Sequence, residues 1–301
     1  MKLNSKNLSR FSALFAAGMV CASSQAAVVV ANNVSPGDSF TNAGGSNQGQ
    51  AVGASGWFYN NVRNSGSAGI DSAYARSGNG SAHLSGSVGP GGASSKADIE
   101  FLAGGVNAGG TGAFRATSTL GLFKDFSGMQ YDWYRNITST NSGVQHPALR
   151  ILLDLDGNLS TIGDRGGLVF ELVYNGGGTV PTNVWTTSTV TSSTNVWNFG
   201  LGLGNLFDLS PLDGYAFDNN LAAWQSYAPA ANAVILGFSA GIGSGWGAFD
   251  GAVDNIGWTI GGQTSTYNFE VAPRVSVPEP GTLALVAAAL LGCAGLRRRQ
   301  A

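Results

Sequence analysis

Short stretches in which apolar and polar residues alternate run through the middle of this 301-residue chain. In residues 97–101, three apolar residues alternate with Asp98 and Glu100, and residues 149–155 and 168–174 follow the same two-residue period. A strand with one apolar face belongs to an antiparallel sheet with one buried side, and two such sheets pack face to face. We therefore predict an all-β fold, an antiparallel two-sheet sandwich of jelly-roll type.

Turn-forming residues separate these stretches. The chain has 46 glycines and only 11% charged residues, a composition that favours short strands and tight turns over helices. One short connecting helix is predicted at 220–227, where Leu221 and Trp224 share a face. Further strands are predicted at 114–119, 129–135, 184–190, 234–239, 252–260 and 264–271.

The charge of the chain is unevenly distributed. Six of the 15 basic residues lie in the two ends, so nine remain between Asp38 and Glu279 against all 17 acidic residues, a net charge of −8. Because nucleic-acid binding needs clustered Lys and Arg, we exclude it. The two cysteines, Cys21 and Cys293, also lie in the ends, so the middle has no disulfide and no thiol chemistry.

The first 27 residues have the three parts of a secretory signal peptide. Lys2, Lys6 and Arg10 precede an apolar stretch at 11–20, and Ser24-Gln25-Ala26 is a small-x-small cleavage site. We expect export through the Sec machinery and cleavage by signal peptidase after Ala26 or Ala27. A retained anchor is the alternative, but the apolar stretch is short for a membrane span. Lipidation of Cys21 is disfavoured because the bulky Val20 precedes it.

The last 24 residues combine a proline motif, an apolar stretch and a basic end. Val277-Pro278-Glu279-Pro280 precedes the apolar residues 282–296, and Arg297, Arg298 and Arg299 follow. Fifteen apolar residues make a helix of about 23 Å, shorter than the hydrocarbon core of about 30 Å. A single short transmembrane helix of this kind suits a temporary tether. An ordinary membrane anchor is the alternative, but it leaves the proline motif unexplained.

This ending resembles the PEP-CTERM sorting domain, the substrate of exosortases in Gram-negative bacteria that make exopolysaccharide. The resemblance implies export, temporary anchoring in the inner membrane and exosortase cleavage near Pro278 to Pro280. It further implies delivery to the cell surface or the extracellular matrix.

Four segments follow from these features. We assign residues 1–27 to the signal peptide, 28–272 to the β-sandwich, 273–277 to a stalk and 278–301 to the sorting signal. The Gly- and Ser-rich residues 86–95 are interpreted as a connection within one domain, with an interdomain linker as the alternative. Residues 243–270 resemble the last strands of modules in exported proteins with interchangeable anchors. That resemblance implies a jelly-roll, galactose-binding-like or lectin-like domain.

We expect no enzymatic activity. The only histidines of the chain, His83 and His146, lie in no recognisable nucleophile, zinc or phosphate-binding motif. Glu100, Glu171 and Glu270 fall in predicted strands, where we expect them to face solvent. A hydrolase that uses a pair of these carboxylates is a distant alternative.

Two sets of oxygen ligands are candidates for a structural calcium ion. Asp154, Asp156 and Asn158 alternate into a turn, although a polar hairpin turn alone explains the same pattern. Asp250 and Asp254 (with Asn255 beside them) form the second set, and Asp38 is their candidate distant ligand. Hydrogen bonding at a strand edge is the alternative for the second set.

Aromatic residues in polar surroundings are candidates for sugar binding. Trp57 and Tyr59 (with Phe58 between them) lie in a Gly- and Asn-rich stretch, and Trp246, Trp185 and Trp197 have similar neighbours. Core filling is the alternative for each ring. We expect a non-catalytic structural or adhesive protein. A module that binds extracellular polysaccharide, with or without calcium, is the alternative.

Overall fold

Two packed β-sheets make up the part of the chain that the computed structural model describes, residues 26–87, 95–105, 115–203 and 217–273. Each sheet has eight strands. Sheet I contains β1 (Ala27–Val34), β2 (Phe40–Asn42), β5 (Gly66–Asp71), β6 (Ser81–Gly86), β9 (Phe126–Arg135), β12 (Thr186–Val190), β15 (Phe249–Ile260) and β16 (Gln263–Ala272). Sheet II contains β3 (Gln48–Ala51), β4 (Trp57–Arg63), β7 (Lys96–Leu102), β8 (Gly121–Leu122), β10 (Ala148–Asp154), β11 (Arg165–Phe170), β13 (Trp197–Gly200) and β14 (Val234–Ile242).

The long strand β15 organises sheet I. One of its edges pairs with β6 through its first half and with β16 through its second half. Its other edge pairs with β9, and β12 pairs with β9 beyond it. In sheet II the order is β13-β11-β10-β14-β7-β4-β3, with the short β8 beside the start of β14. The predicted two-sheet β-sandwich is therefore confirmed.

One strand pair departs from the predicted antiparallel arrangement. The edge strand β1 pairs in parallel with β16, in a register that places Ala27 opposite Tyr267 and Val29 opposite Phe269. All other strand pairs in the described ranges are antiparallel. A parallel pair needs a long connection, and here nearly the whole domain lies between the two strands.

The inner faces of the sheets form one hydrophobic core. In β10, Leu149, Ile151 and Leu153 belong to this core. Trp57 from sheet II has no exposed surface, and its ring lies 4.9 Å from the Phe269 ring of sheet I, edge to face. This alternation sends the intervening residues of β10 and β7 to the outer face of sheet II.

Local structure differs from the sequence-based expectation in two places. The strand predicted at 168–174 ends at Phe170, and residues Leu172–Asn175 form a 3₁₀ helix. Residues 115–119 of the strand predicted at 114–119 are not extended into a strand, and residue 114 lies outside the described ranges. The connecting helix is present as α1 (Leu221–Ser226), capped by the Asn220 side chain.

Several predicted segments fall on residues that the structure does not describe. These are the signal peptide up to residue 25, the stalk from residue 274 and the sorting signal. Most of the 86–95 connection also lies outside; β6 ends at Gly86 in sheet I, and β7 begins at Lys96 in sheet II. Within the described ranges, no helix has the length and apolar character needed to cross a membrane.

Candidate functional site: a groove across sheet II

A groove of about 550 Å³ lies on the outer face of sheet II. Its lining residues come from strands across the sheet, from Trp197 on β13 through Arg150 on β10 and Lys96 on β7 to Arg63 on β4. Adjacent strands lie about 4.8 Å apart, so these five steps span about 24 Å. We call this feature the sheet II groove.

A buried ion-pair cluster forms part of the groove lining. Asp98 is 1% exposed and accepts hydrogen bonds from Arg150 Nη1 at 2.9 Å and from Asn61 Nδ2 at 2.9 Å. Lys96 Nζ lies 3.0 Å from Asp98 Oδ2. Burial alone raises the pKa of Asp98, but Arg150 and Lys96 together bring it below its usual value. Burial and the neighbouring Arg150 lower the pKa of Lys96 to about 8.

Glu100 lies on the same face, two residues from Asp98. Its side chain is fully buried, Oε1 accepts a hydrogen bond from Asn60 Nδ2 at 3.2 Å, and Oε2 has no partner among the described residues. Burial and the nearby Asp98 raise the pKa of Glu100 to about 8. The expectation that Glu100 faces solvent is therefore wrong, and the raised pKa keeps the carboxyl group mostly protonated at pH 7.

Aromatic rings line the opposite end of the groove. Trp197 Nε1 donates a hydrogen bond to Glu171 Oε2 at 3.1 Å, which fixes the indole ring beside the groove. Tyr174 also lines the groove, and its ring stacks on that of Phe217 with a centroid distance of 4.4 Å. Burial raises the pKa of Glu171. The half-buried Glu171 thus serves as a hydrogen-bond acceptor that positions Trp197.

The predicted sugar-binding residues occupy two different environments. Trp246 is 8% exposed and lines the groove together with Gly243 to Gly245. Trp57 and Tyr59 have no exposed surface, and the Tyr59 hydroxyl bonds to Asp38 and to the backbone of Ile70. These core positions do not agree with the predicted contact of Trp57 and Tyr59 with a sugar. Their inward direction on β4 is the physical reason.

The comparisons with known proteins bear on the end of the chain. The family model described as the PEP-CTERM protein-sorting motif matches residues 276–299.

The chain carries a PEP-CTERM sorting motif.

The match includes the residues singled out in the sequence, which are Val277, Pro278, Glu279, Pro280, Arg297, Arg298 and Arg299. The motif implies an exported protein that is temporarily anchored in the membrane and processed by an exosortase. A comparison with curated proteins finds no match.

The first candidate calcium site is partly assembled. Carboxylate oxygens of Asp154, Asp156 and Asp164 lie within 4.8 Å of one another. Arg165 Nε donates to Asp154 Oδ2 at 3.1 Å and neutralises part of this charge. Asn158 is engaged locally, since its Oδ1 accepts from the Ser160 backbone and hydroxyl. Carboxylate oxygens suit a hard cation such as Ca²⁺. Sequence reasoning missed Asp164, which the β10–β11 hairpin folds back onto the turn.

The second candidate set is not brought together with Asp38. Asp38 accepts hydrogen bonds from the backbones of Asn32 and Asn33. Asp254 Oδ1 accepts from the Phe269 backbone at 3.0 Å, and burial raises the pKa of Asp254 to about 7. In the part of the chain that the structure describes, the trio of Asp154, Asp156 and Asp164 is the one group of three metal-ligating side chains.

Asp250 instead belongs to a network on the outer face of sheet I. His83 lies between two carboxylates, with Nδ1 2.7 Å from Asp71 Oδ2 and Nε2 2.7 Å from Asp250 Oδ1. Asp250 Oδ2 accepts hydrogen bonds from the Tyr74 hydroxyl and from Asn136 Nδ2. Asp71, His83 and Asp250 come from β5, β6 and β15, and Tyr74 and Asn136 follow β5 and β9, so their separation in sequence hides the network. Only the outward positions of Asp71, His83 and Asp250 on their strands could have indicated the network.

The second histidine is structural. His146 is 1% exposed, and burial lowers its pKa to about 4. Its Nε2 accepts a hydrogen bond from the Leu172 backbone at 3.0 Å, and its ring stacks on Trp133 at 4.8 Å. A neutral imidazole in this position joins the end of β11 to sheet I.

Proposed function

We propose that the exported domain is a non-catalytic carbohydrate-binding module that attaches the protein to polysaccharide at the cell surface or in the extracellular matrix. The sheet II groove carries this proposal, because it combines aromatic rings with fixed polar groups along a channel. Sugar rings present an apolar face and a rim of hydroxyl groups. Pockets for such ligands offer an aromatic surface together with a few oriented donors and acceptors.

The groove supports both kinds of contact. Trp197 and Tyr174 supply aromatic surface near β13. Arg150, Asn61 and Asn47 supply polar groups along the rest of the groove. Ordered side chains of this kind need little rearrangement on binding, which lowers the entropic cost of association.

The carboxyl groups of the groove support a role in binding and not in hydrolysis. Asp98 is held between Arg150 and Lys96, and Glu171 accepts the hydrogen bond from Trp197. Glycoside hydrolysis requires one carboxyl group free to donate a proton and a second free to attack or to activate water. Each groove carboxylate is instead committed to holding neighbouring side chains.

Binding of the purified full-length protein to a panel of polysaccharides tests this function. We expect Trp197→Ala to weaken binding at least tenfold, which is the loss of about 1.4 kcal/mol of binding energy. Trp185→Ala is the matched control, because Trp185 lies on the sheet I side beside Arg76 and Tyr134. Equal losses in both variants, or no binding by folded protein to any polysaccharide, would leave a purely structural role.

A further inference from the structure

Basic side chains are concentrated in the sheet II groove of an otherwise acidic domain. Arg63, Lys96 and Arg150 line the groove, against the two carboxylates Asp98 and Glu171. These three residues are a third of the nine basic residues between Asp38 and Glu279, a region with 17 acidic residues. The groove therefore has an excess of positive charge where the domain as a whole is negative.

Arg150 has hydrogen-bonding capacity that the described residues do not use. Its side chain is 8% exposed, and Nη1 donates to Asp98 and, at 3.3 Å, to Ser239 Oγ. Its Nε and Nη2 have no acceptor among the described residues, and the side chain lines the groove. Neither nitrogen is among the buried polar atoms that lack a partner, so both are accessible from the groove and can donate to an acceptor there. An anionic group entering the groove would supply one.

We propose that the groove is specific for acidic polysaccharides and that Arg150 receives a sugar carboxylate. This inference rests on the proposed function, since it specifies the class of polysaccharide that the same groove binds. A guanidinium group matches a carboxylate through two parallel N–H donors, a geometry that a hydroxyl group cannot reproduce.

The positions of the other cations fit the same ligand. Lys96 on β7 uses Asp98 as its acceptor, and an ammonium group has three donors. Arg63 on β4 bonds to Asn47 through Nη1. Both lie on the β4 side of Arg150, whereas Trp197 and Tyr174 lie on the β13 side. A sugar chain across the groove would stack on the aromatic rings at one end and place acidic groups near the cations at the other.

The neutral state of Glu100 favours an anionic ligand. This carboxyl group is buried on the same face, and burial raises its pKa to about 8. At pH 7 the group is therefore mostly protonated and adds little negative charge beside Arg150 and Lys96.

Paired polysaccharides that differ only in charge test the inference. The purified full-length protein would be titrated with polygalacturonate, alginate and hyaluronate, and with the carboxyl-reduced, neutral form of each. We expect at least one acidic polymer to bind tenfold or more tightly than its reduced form at low salt. Part of the attraction is electrostatic, so we expect the difference in affinity between the acidic polymer and its reduced form to decrease as salt is added.

Substitutions in the groove locate the effect. We expect Arg150→Lys and Arg63→Gln each to weaken binding of the acidic polymer three- to tenfold and to narrow the difference in affinity between the acidic polymer and its reduced form. A change at Arg150 could weaken binding indirectly, by leaving the buried Asp98 without its partner. Arg63→Gln tests the same inference without changing a partner of Asp98. Arg76→Gln is the control, because Arg76 pairs with Asp132 on sheet I.

The results distinguish acidic specificity from carbohydrate binding as such. Equal affinity for acidic and reduced polymers, or an equal loss in the Arg76 variant, would overturn the acidic specificity and leave carbohydrate binding in place. No binding of any polymer by folded protein would overturn both.

Discussion

His83 shows how partners distant in sequence set the charge of one side chain. Burial alone lowers its pKa, but hydrogen bonds with Asp250 and Asp71 raise it to about 9. The neighbouring Tyr74, whose pKa burial and Asp250 raise to about 12, stays neutral over the same range. At neutral pH a positively charged imidazole therefore links β5, β6 and β15.

This charge gives a pH-dependent contribution to stability. The pKa of His83 is higher in the folded state than the usual value of 6.5, so its contribution is complete below about pH 6.5 and is lost as the pH rises through about 9. We expect the difference in unfolding free energy between wild type and His83→Gln to fall by on the order of 2 kcal/mol from pH 6 to pH 10. Urea denaturation of both proteins at several pH values measures this difference in unfolding free energy. A difference that stays constant with pH would contradict the assigned charge.

The groove residues show what alternation can and cannot predict. The two-residue period places Asp98 and Arg150 on the polar face of their strands, and both line the groove on that face. Their burial was not predictable, because the groove walls come from residues 171–174 and 243–246, far away in sequence. The same period places Trp57 inward with Ile99 and Phe238. The expected exposure of Glu100 and the expected sugar contact of Trp57 do not agree with their burial, which depends on strands that are distant in sequence.

At the scale of elements, β11 ends where a side chain, and not a neighbouring strand, accepts the backbone hydrogen bond. The apolar alternation continues to Tyr174, but the Leu172 backbone N–H donates to His146 Nε2 and the chain turns into a 3₁₀ helix. Gly176 follows with a φ of 77°, a left-handed conformation that glycine adopts without strain. The period predicts which face is apolar, whereas the length of a strand depends on the hydrogen-bond partners its backbone finds.

The helix α1 depends on its N-terminal cap. Asn220 Oδ1 accepts a hydrogen bond from the Ala223 backbone at 2.9 Å, and the buried Leu221 and Trp224 attach the helix to the core. We expect Asn220→Ala to lower the unfolding free energy by about 1 kcal/mol. Asn220→Asp keeps an acceptor at this position and should restore most of the loss. Equal destabilisation by both variants in urea titrations would argue against the cap.

The β10–β11 hairpin makes a second prediction at this scale. Because Asp154, Asp156 and Asp164 converge, we expect millimolar Ca²⁺ to stabilise the domain by about 1–3 kcal/mol. Asp164→Asn should abolish this gain, whereas Asp125→Asn, at an exposed position outside the trio, should keep it. Thermal unfolding with calcium or with a chelator measures the effect. Identical melting temperatures in both conditions would show that Arg165 alone neutralises the trio.

At the scale of the whole molecule, the sorting signal could be recognised from the sequence and the groove could not. Residues 276–299 form one continuous segment, so their order along the chain is itself the signal. The groove is assembled by strands whose neighbours are set by the sheet order, and no local pattern specifies that order. The parallel pairing of β1 with β16 escaped prediction for the same reason.

The sorting motif predicts the fate of the exported protein. We expect replacement of Pro278, Glu279 and Pro280 by alanine to leave the protein uncleaved and in the membrane fraction, because the processing protease no longer finds its recognition sequence. Arg274→Ala, just upstream of the matched residues, is the control and should be processed normally. Immunoblots of membrane and extracellular fractions would show the outcome. Normal cleavage of the triple variant would contradict the assignment.

The pairing of β1 with β16 has a consequence for the timing of folding during export. The N-terminal strand leaves the cytoplasm first, yet its partner, Gln263–Ala272, lies more than 200 residues later in the chain. Until that partner arrives, the backbone of β1 has no strand with which to pair. The sandwich can close only when translocation is nearly finished, just before the tether reaches the membrane. Completion of the fold and arrival of the cleavage signal are thus almost simultaneous events.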